Sequence, residues 1–98
     1  MEQSEGDLRR LSLEHADCRS EAQAAWVLGR MLERYGWAGN FAPVQAEGLD
    51  EAYLNTHIPY WYLARRGRQA VCVYYDGALS PGELFALLAQ RMAAREAG

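Results

Sequence analysis

The stretch from Tyr60 to Tyr75 limits the fold of this chain more than any other part of it. Tyr60 to Arg65 and Gln69 to Tyr75 are dense in aromatic and β-branched residues, the side chains that pack best on a pleated surface. Arg66-Gly67-Arg68 lies between them as a turn, which makes the pair a β-hairpin. The reading adopted places Trp61, Leu63, Val71 and Val73 on the core face, with Tyr60, Tyr62, Cys72 and Tyr74 on the other. The length of the loop is open, and a slip of one residue exchanges the faces. In either register both faces are apolar or aromatic, and strands of that kind are normally covered on both sides.

Two helices flank this hairpin in sequence. Ser20 followed by Gln23 forms a capping box, and Ala24, Leu28, Met31, Leu32 and Tyr35 then recur at the spacing of one apolar stripe. Gly36 supplies the left-handed stop and Trp37 the hydrophobic contact that goes with it, so the spacing predicts a helix over 20–35. The second helix starts at Ser80, with Pro81 in the first helical position and Glu83 completing the box. Leu79 and Leu84 make a hydrophobic staple, and Leu84, Leu87, Leu88 and Met92 form the buried stripe with Phe85 beside it. This helix is expected from 81 to about 95.

Residues 8–17 alternate, with Leu11, Leu13 and His15 on one side and Ser12, Glu14 and Ala16 on the other, the pattern of a half-buried strand. Between the first helix and the hairpin, Asn40 to Glu47 reads as an edge strand, because Pro43 lacks the donor an interior strand needs. Asp50 reads as the cap of a short helical turn through Tyr53 and Leu54, closed before Pro59. The expected fold is therefore α+β, a small two-layer domain. An antiparallel sheet of 3–4 strands carries two main helices on one face, in the order β-α-(β)-β-β-α.

Ninety-eight residues support one core, taken as a flexible tail over 1–6 and a single domain over 7–96. The net charge of −3 offers nucleic acid no strongly basic face, and no apolar run approaches the roughly 18 residues of a membrane span. All basic residues are arginine, which points to a GC-rich, bacterial-type genome. Cys18 and Cys72 permit a single bridge. Without a secretory leader pattern, a reducing cytoplasm with both thiols free is expected.

The candidate sites are few. Cys18 stands just before a helix start with His15 and Asp17 nearby, the residue types of an activated thiol. His15, Cys18, His57 and Cys72 are zinc-ligand types, but they lack the paired short spacing of zinc sites. No catalytic residue, metal site or cofactor is assigned on these grounds, and no glycine-rich loop has the spacing that cradles phosphate. Glu47, Asp50 and Glu51 form an acidic cluster that reads as a solvated loop. Arg65, Arg66 and Arg68 ring the hairpin tip beside Tyr60, Trp61 and Tyr62, the combination used to grip phosphates and stack on bases. The α-β-β-β-α order within 20–95 resembles double-stranded-RNA-binding domains in topology alone. Ser80-Pro81-Gly82-Glu83 stands where those domains carry a lysine-rich helix start, and a carboxylate there repels phosphate.

The functional expectation rests on the aromatic hairpin. Two helices packed on one face leave the other bare, and Tyr60, Tyr62 and Tyr74 are then an interface for a protein partner or a second copy. That describes a non-enzymatic binding module of the immunity, inhibitor, assembly-factor or accessory-subunit type. The alternatives are a small enzyme or ligand-binding protein using Cys18 and His15, or a pocket of Trp37, Tyr53 and Trp61, and nucleic-acid binding through the arginine tip.

Overall fold

A computed structural model describes residues 11–35, 41–55 and 60–97. The elements run β1 (Leu11–Asp17), α1 (Glu21–Tyr35), β2 (Phe41–Val44), β3 (Glu51–Asn55), β4 (Tyr60–Arg66), β5 (Gln69–Tyr75) and α2 (Pro81–Ala97). The strands make one five-stranded antiparallel sheet in the order β1-β5-β4-β3-β2. The tail over 1–6, the helix stop at Gly36 and Trp37, and His57 lie outside the described residues.

Both helix starts follow from their caps. Ser80 Oγ accepts the Glu83 N–H at 3.2 Å and Glu83 Oε1 accepts the Ser80 N–H at 2.8 Å, a reciprocal box. At α1, Ser20 Oγ accepts the Gln23 N–H at 3.0 Å, but Gln23 reaches one residue further back, to the Arg19 N–H at 2.7 Å. Each cap is worth about 1 kcal/mol. The expected stripes are buried in large part: Ala24, Leu28 and Met31 in α1, and Leu84, Leu88 and Met92 in α2 with Phe85 beside them, while Leu32 and Leu87 are half-buried and the side chain of Tyr35 lies outside the described residues.

Helix placement departs from expectation. The two helices lie on opposite faces of the sheet, so the domain has three layers instead of two. Leu28 and Met31 of α1 pack with Leu63, Ala70 and Cys72. Leu84, Phe85, Leu88 and Met92 of α2 pack with Tyr62, Ala64, Val71, Val73 and Tyr75, which alternate with the first set along β4 and β5. The physical reason is the property already visible in the hairpin. A sheet apolar on both sides needs a cover on each, and one helix per face provides it. The connections agree: α1 carries the chain from β1 at one edge to β2 at the other, and α2 follows β5.

The hairpin register is also corrected. Tyr62 pairs with Val73, Leu63 with Cys72 and Ala64 with Val71, so Leu63 faces away from Val71 and Val73. Arg66 pairs with Gln69 across a two-residue loop in which Gly67 has φ +56, the glycine-first pattern of tight hairpin turns. Residues 51–55 are strand β3, not a helical turn: Asp50 N–H bonds to Arg65 O at 2.8 Å and starts the ladder with β4. The edge strand expected around Pro43 is present as β2, paired on one side with β3. Four consecutive strands therefore separate the helices, not the three expected.

Candidate functional site

The alternation of β4 and β5 disperses the tyrosines that were expected to share a face. Tyr62 is 0% exposed, sealed under α2 with its ring edge-on to Phe85 at 5.3 Å between centroids. Tyr74 is half-buried on the α1 side, stacked on Trp61 at 5.0 Å. The side chain of Tyr60 lies outside the described residues. The phenol of Tyr62 is thus part of the core. Tyr53 and Trp61 each pack against the cluster on the α1 side, while Trp37, their expected companion in a pocket, lies outside the described residues.

The pleat likewise separates the thiol from the imidazole. Cys18 N–H bonds to Arg68 O at 2.8 Å, which carries the β1–β5 ladder one step past Asp17↔Gln69. Cys18 then falls on the side of Ala16 and Ala70, while His15 and Asp17 fall on the α2 side. His15 is engaged elsewhere. Its Nε2 lies 2.9 Å from Gln69 Oε1, and Gln69 Nε2 donates to Met92 O at 2.8 Å. The Met92 carbonyl accepts only, so the Gln69 amide nitrogen faces it and His15 Nε2 carries the proton given to Oε1. The Asp17 carboxylate stands 3.9 Å from His15 Nδ1 and pairs with Arg95. Cys72, the other expected zinc ligand, is buried against α1, and burial, with Glu14 next, pushes its thiol up to about 12. A protonated thiol on the face opposite His15 does not complete a metal site with it. Among the described residues no cluster of three metal-ligating side chains forms, and both cysteines are free thiols.

The arginine tip is built into the fold by carboxylates. Arg65 Nε meets Glu51 Oε2 at 2.6 Å, its Nη1 reaches Gly67 O at 2.9 Å, and Asp50 and Glu21 stand at 3.8 and 4.0 Å. Arg66 joins Glu96 at 3.1 Å and Gly48 O at 2.7 Å, tying the β2–β3 loop and the end of α2 to the hairpin. Asp50, read in the sequence as part of a solvated acidic loop, accepts the Gly67 N–H at 2.7 Å. Glu51 also receives the Tyr53 hydroxyl at 3.3 Å, and burial followed by Glu51 raises the Tyr53 pKa. Arg68 is exposed beside a polar cleft of about 510 Å³ lined by Asp17, Glu21, Gln69, Arg95 and Glu96. Acids and bases alternate around this end of the domain, so it presents no continuous basic surface.

The two edges of the sheet differ sharply. β2 is four residues long and contains Pro43, a short edge of the kind that resists further pairing. β1 is seven residues long, without proline, and pairs continuously with β5 from Leu11↔Tyr75 to Asp17↔Gln69. Its backbone phase is fixed by two independent observations at the Asp17↔Gln69 end of the ladder. The Cys18–Arg68 bond makes the even-numbered residues of β1 the ones that bond inward, because bonded pairs alternate in an antiparallel ladder. The two-residue turn closed by Arg66↔Gln69 requires the same: odd residues of β5 bond to β4, even ones to β1. Leu11, Leu13, His15 and Asp17 therefore direct their N–H and C=O groups outward, where no strand among the described residues meets them. Leu13, on this edge, is 48% exposed. The other large apolar side chain exposed among the described residues is Trp26 of α1, at 65%, with the Arg30 guanidinium 5.7 Å from its ring centre. The alternation of residues 8–17 identified the strand and grouped Leu13 with its apolar side, but gave no sign that the strand lies at the sheet edge with Leu13 exposed.

No family model matches the chain, and neither a curated protein nor a solved structure is significantly similar to it. No helix among the described residues is long and apolar enough to cross a membrane.

Proposed function

We propose that the chain is a small non-enzymatic protein-binding module of the immunity, inhibitor, assembly-factor or accessory-subunit kind, which docks through the outer edge of β1. The observation that carries this reading is the edge itself: a regular strand with a row of outward N–H and C=O groups and an apolar side chain at its centre. An extended partner segment added there gains main-chain hydrogen bonds for affinity and the Leu13 side chain for register. This docking surface replaces the tyrosine face suggested by the sequence, since Tyr62 belongs to the core.

The test compares wild type with Leu13→Pro as baits. The Leu13 N–H points outward, so proline removes an edge donor and the apolar anchor without breaking a bond to β5. A specific protein retained by wild type and lost by the variant supports the reading. Equal retention by both baits, or no specific retention by either of any protein, an untagged copy of the chain included, refutes it.

A further inference from the structure

We infer that the partner at the β1 edge is a second copy of this chain, paired antiparallel to it across a two-fold axis through Leu13, so that two five-stranded sheets become one continuous sheet. This inference rests on the docking reading above and names its occupant.

The β1 edge is complementary to itself. A two-fold axis perpendicular to the sheet keeps each face on its own side and pairs β1 with itself in the antiparallel sense. The outward groups belong to odd-numbered residues, so the bonded pairs must be odd with odd. With the axis at Leu13, the bonded pairs are Leu13 with Leu13 and Leu11 with His15, and the intervening pair is Ser12 with Glu14. The exposed leucine meets its own copy, a hydroxyl stands opposite a carboxylate, and no two like charges are directly opposed within the strand. The neighbouring registers are worse. An axis at Ser12 keeps an apolar pair, Leu11 with Leu13, but shortens the paired stretch of the described strand from five residues per copy to three. An axis at Glu14 sets two carboxylates face to face at the close spacing of a non-bonded pair, about 4.5 Å between Cα atoms, and like charges so opposed are destabilising. An axis at His15 puts Leu13 opposite Asp17 and loses the apolar contact. The pattern of this strand thus selects one register with its own copy, a property that a generic edge lacks.

Charge elsewhere on the strand does not oppose the arrangement. Glu14 is already paired with Arg34 at 3.2 Å on the α1 side, and Asp17 with Arg95 on the α2 side. Each acid of β1 brings its own cation to the seam. The opposite edge cannot serve equally, because Pro43 interrupts the donors of a strand only four residues long.

The experiment is mass by light scattering and sedimentation from micromolar to millimolar concentration, with a crosslinking arm that reads the register. Wild type is expected to approach twice the 11.0 kDa chain mass as concentration rises. Leu13→Arg, which opposes two guanidiniums at the axis, is expected to raise the dissociation constant at least about tenfold. Leu13→Pro is expected to stay monomeric, with circular dichroism confirming that both variants fold. In a Cys18→Ser background, Leu13→Cys places two thiols across a bonded pair at about 5.5 Å between Cα atoms, within the range a disulfide spans. Oxidised glutathione, taking up the two electrons and two protons, should then yield a covalent dimer from Leu13→Cys and not from His15→Cys. A wild type monomeric throughout, crosslinking equal at positions 13 and 15, or a dimer untouched by Leu13→Arg but dissolved by Trp26→Ala each overturns the inference. A monomer that still captures a protein through Leu13 overturns the self-pairing alone and leaves the docking reading standing. Capture indifferent to Leu13 removes that reading too.

Discussion

Replacing Gln69 should cost more than its position at the start of a strand suggests. Its side chain is 4% exposed and bridges three elements, accepting from His15 of β1 at 2.9 Å and donating to the Met92 carbonyl of α2 at 2.8 Å. Gln69→Leu keeps the bulk and removes both bonds. At about 0.5–1.5 kcal/mol net for each, the loss is about 1–3 kcal/mol. It falls toward the lower end, because the half-buried His15 ring regains water and burying an amide no longer has to be offset. Gln69→Ala adds an unfilled volume and should cost more than Gln69→Leu. Gln69→Glu turns a carboxylate oxygen toward the Met92 carbonyl in place of a donor and should be the most damaging of the three. Urea unfolding followed by tryptophan fluorescence gives the free energies, and a double-mutant cycle with His15→Ala isolates the first bond. That cycle should return a coupling of about 0.5–1.5 kcal/mol. A coupling of zero within about 0.3–0.5 kcal/mol error, or a Gln69→Glu protein as stable as Gln69→Leu, would refute the bridging role.

Three further outcomes follow from the packing. A Cβ at Gly77 overlaps the buried Tyr75 ring, whose hydroxyl accepts the Leu79 N–H at 2.9 Å, whereas a Cβ at Gly82 meets nothing within 4 Å. Gly77→Ala should therefore destabilise by about 1–3 kcal/mol and Gly82→Ala should stabilise by about 0.4–1 kcal/mol; melting temperatures moving in the same direction would contradict this. Leu88→Ala, at a residue 3% exposed between α2 and the sheet, should cost about 2–5 kcal/mol, and Ser80→Ala about 0.5–2 kcal/mol, both read by chemical denaturation. Burial raises the Cys72 thiol from 9.0 to about 12, so the unfolded chain gives up this proton first as pH climbs. Below pH 9 the thiol is neutral in both states. From about 9 to about 12 the folded form binds the extra proton, and stability falls with rising pH. Cys72→Ala should flatten that alkaline decline, and at pH 8 a thiol reagent should label Cys18 while native Cys72 resists.

The parts of the fold that were legible in the sequence were those written in local chemistry. Ser20, Ser80 and Glu83 mark helix starts because a cap is satisfied within four residues, and those bonds are present. The stripes of α1 and α2 follow from helical periodicity and are buried for the most part, with Leu32 and Leu87 half-buried. What failed was decided by contacts remote in sequence. Alternation separates Tyr62 from Leu63, but with both faces apolar it does not say which helix covers which side, nor that each takes one. Asp50 has the chemistry of a helix cap, and only the Gly67 N–H and Arg65 carbonyl across the ladder make it the start of a strand. The same limit governs the candidate site. Leu13 is an inward residue by pattern and a surface residue by placement, because β1 ended up at an edge. Its outward backbone could be read only once the phase of its pairing with β5 was known.

The position of β1 also orders events as the chain is made. The first described strand to leave the ribosome bonds to the last, Leu11 waiting for Tyr75, while β2 to β5 each find their neighbour within a short hairpin. At about 5–20 residues per second, the roughly 60 residues between take about 3–12 s to synthesise. During that interval the segment that closes the sheet is an unengaged ribbon, and on a polysome many such ribbons stand side by side. The described strand that emerges first is thus the last of the five to find its place in the sheet.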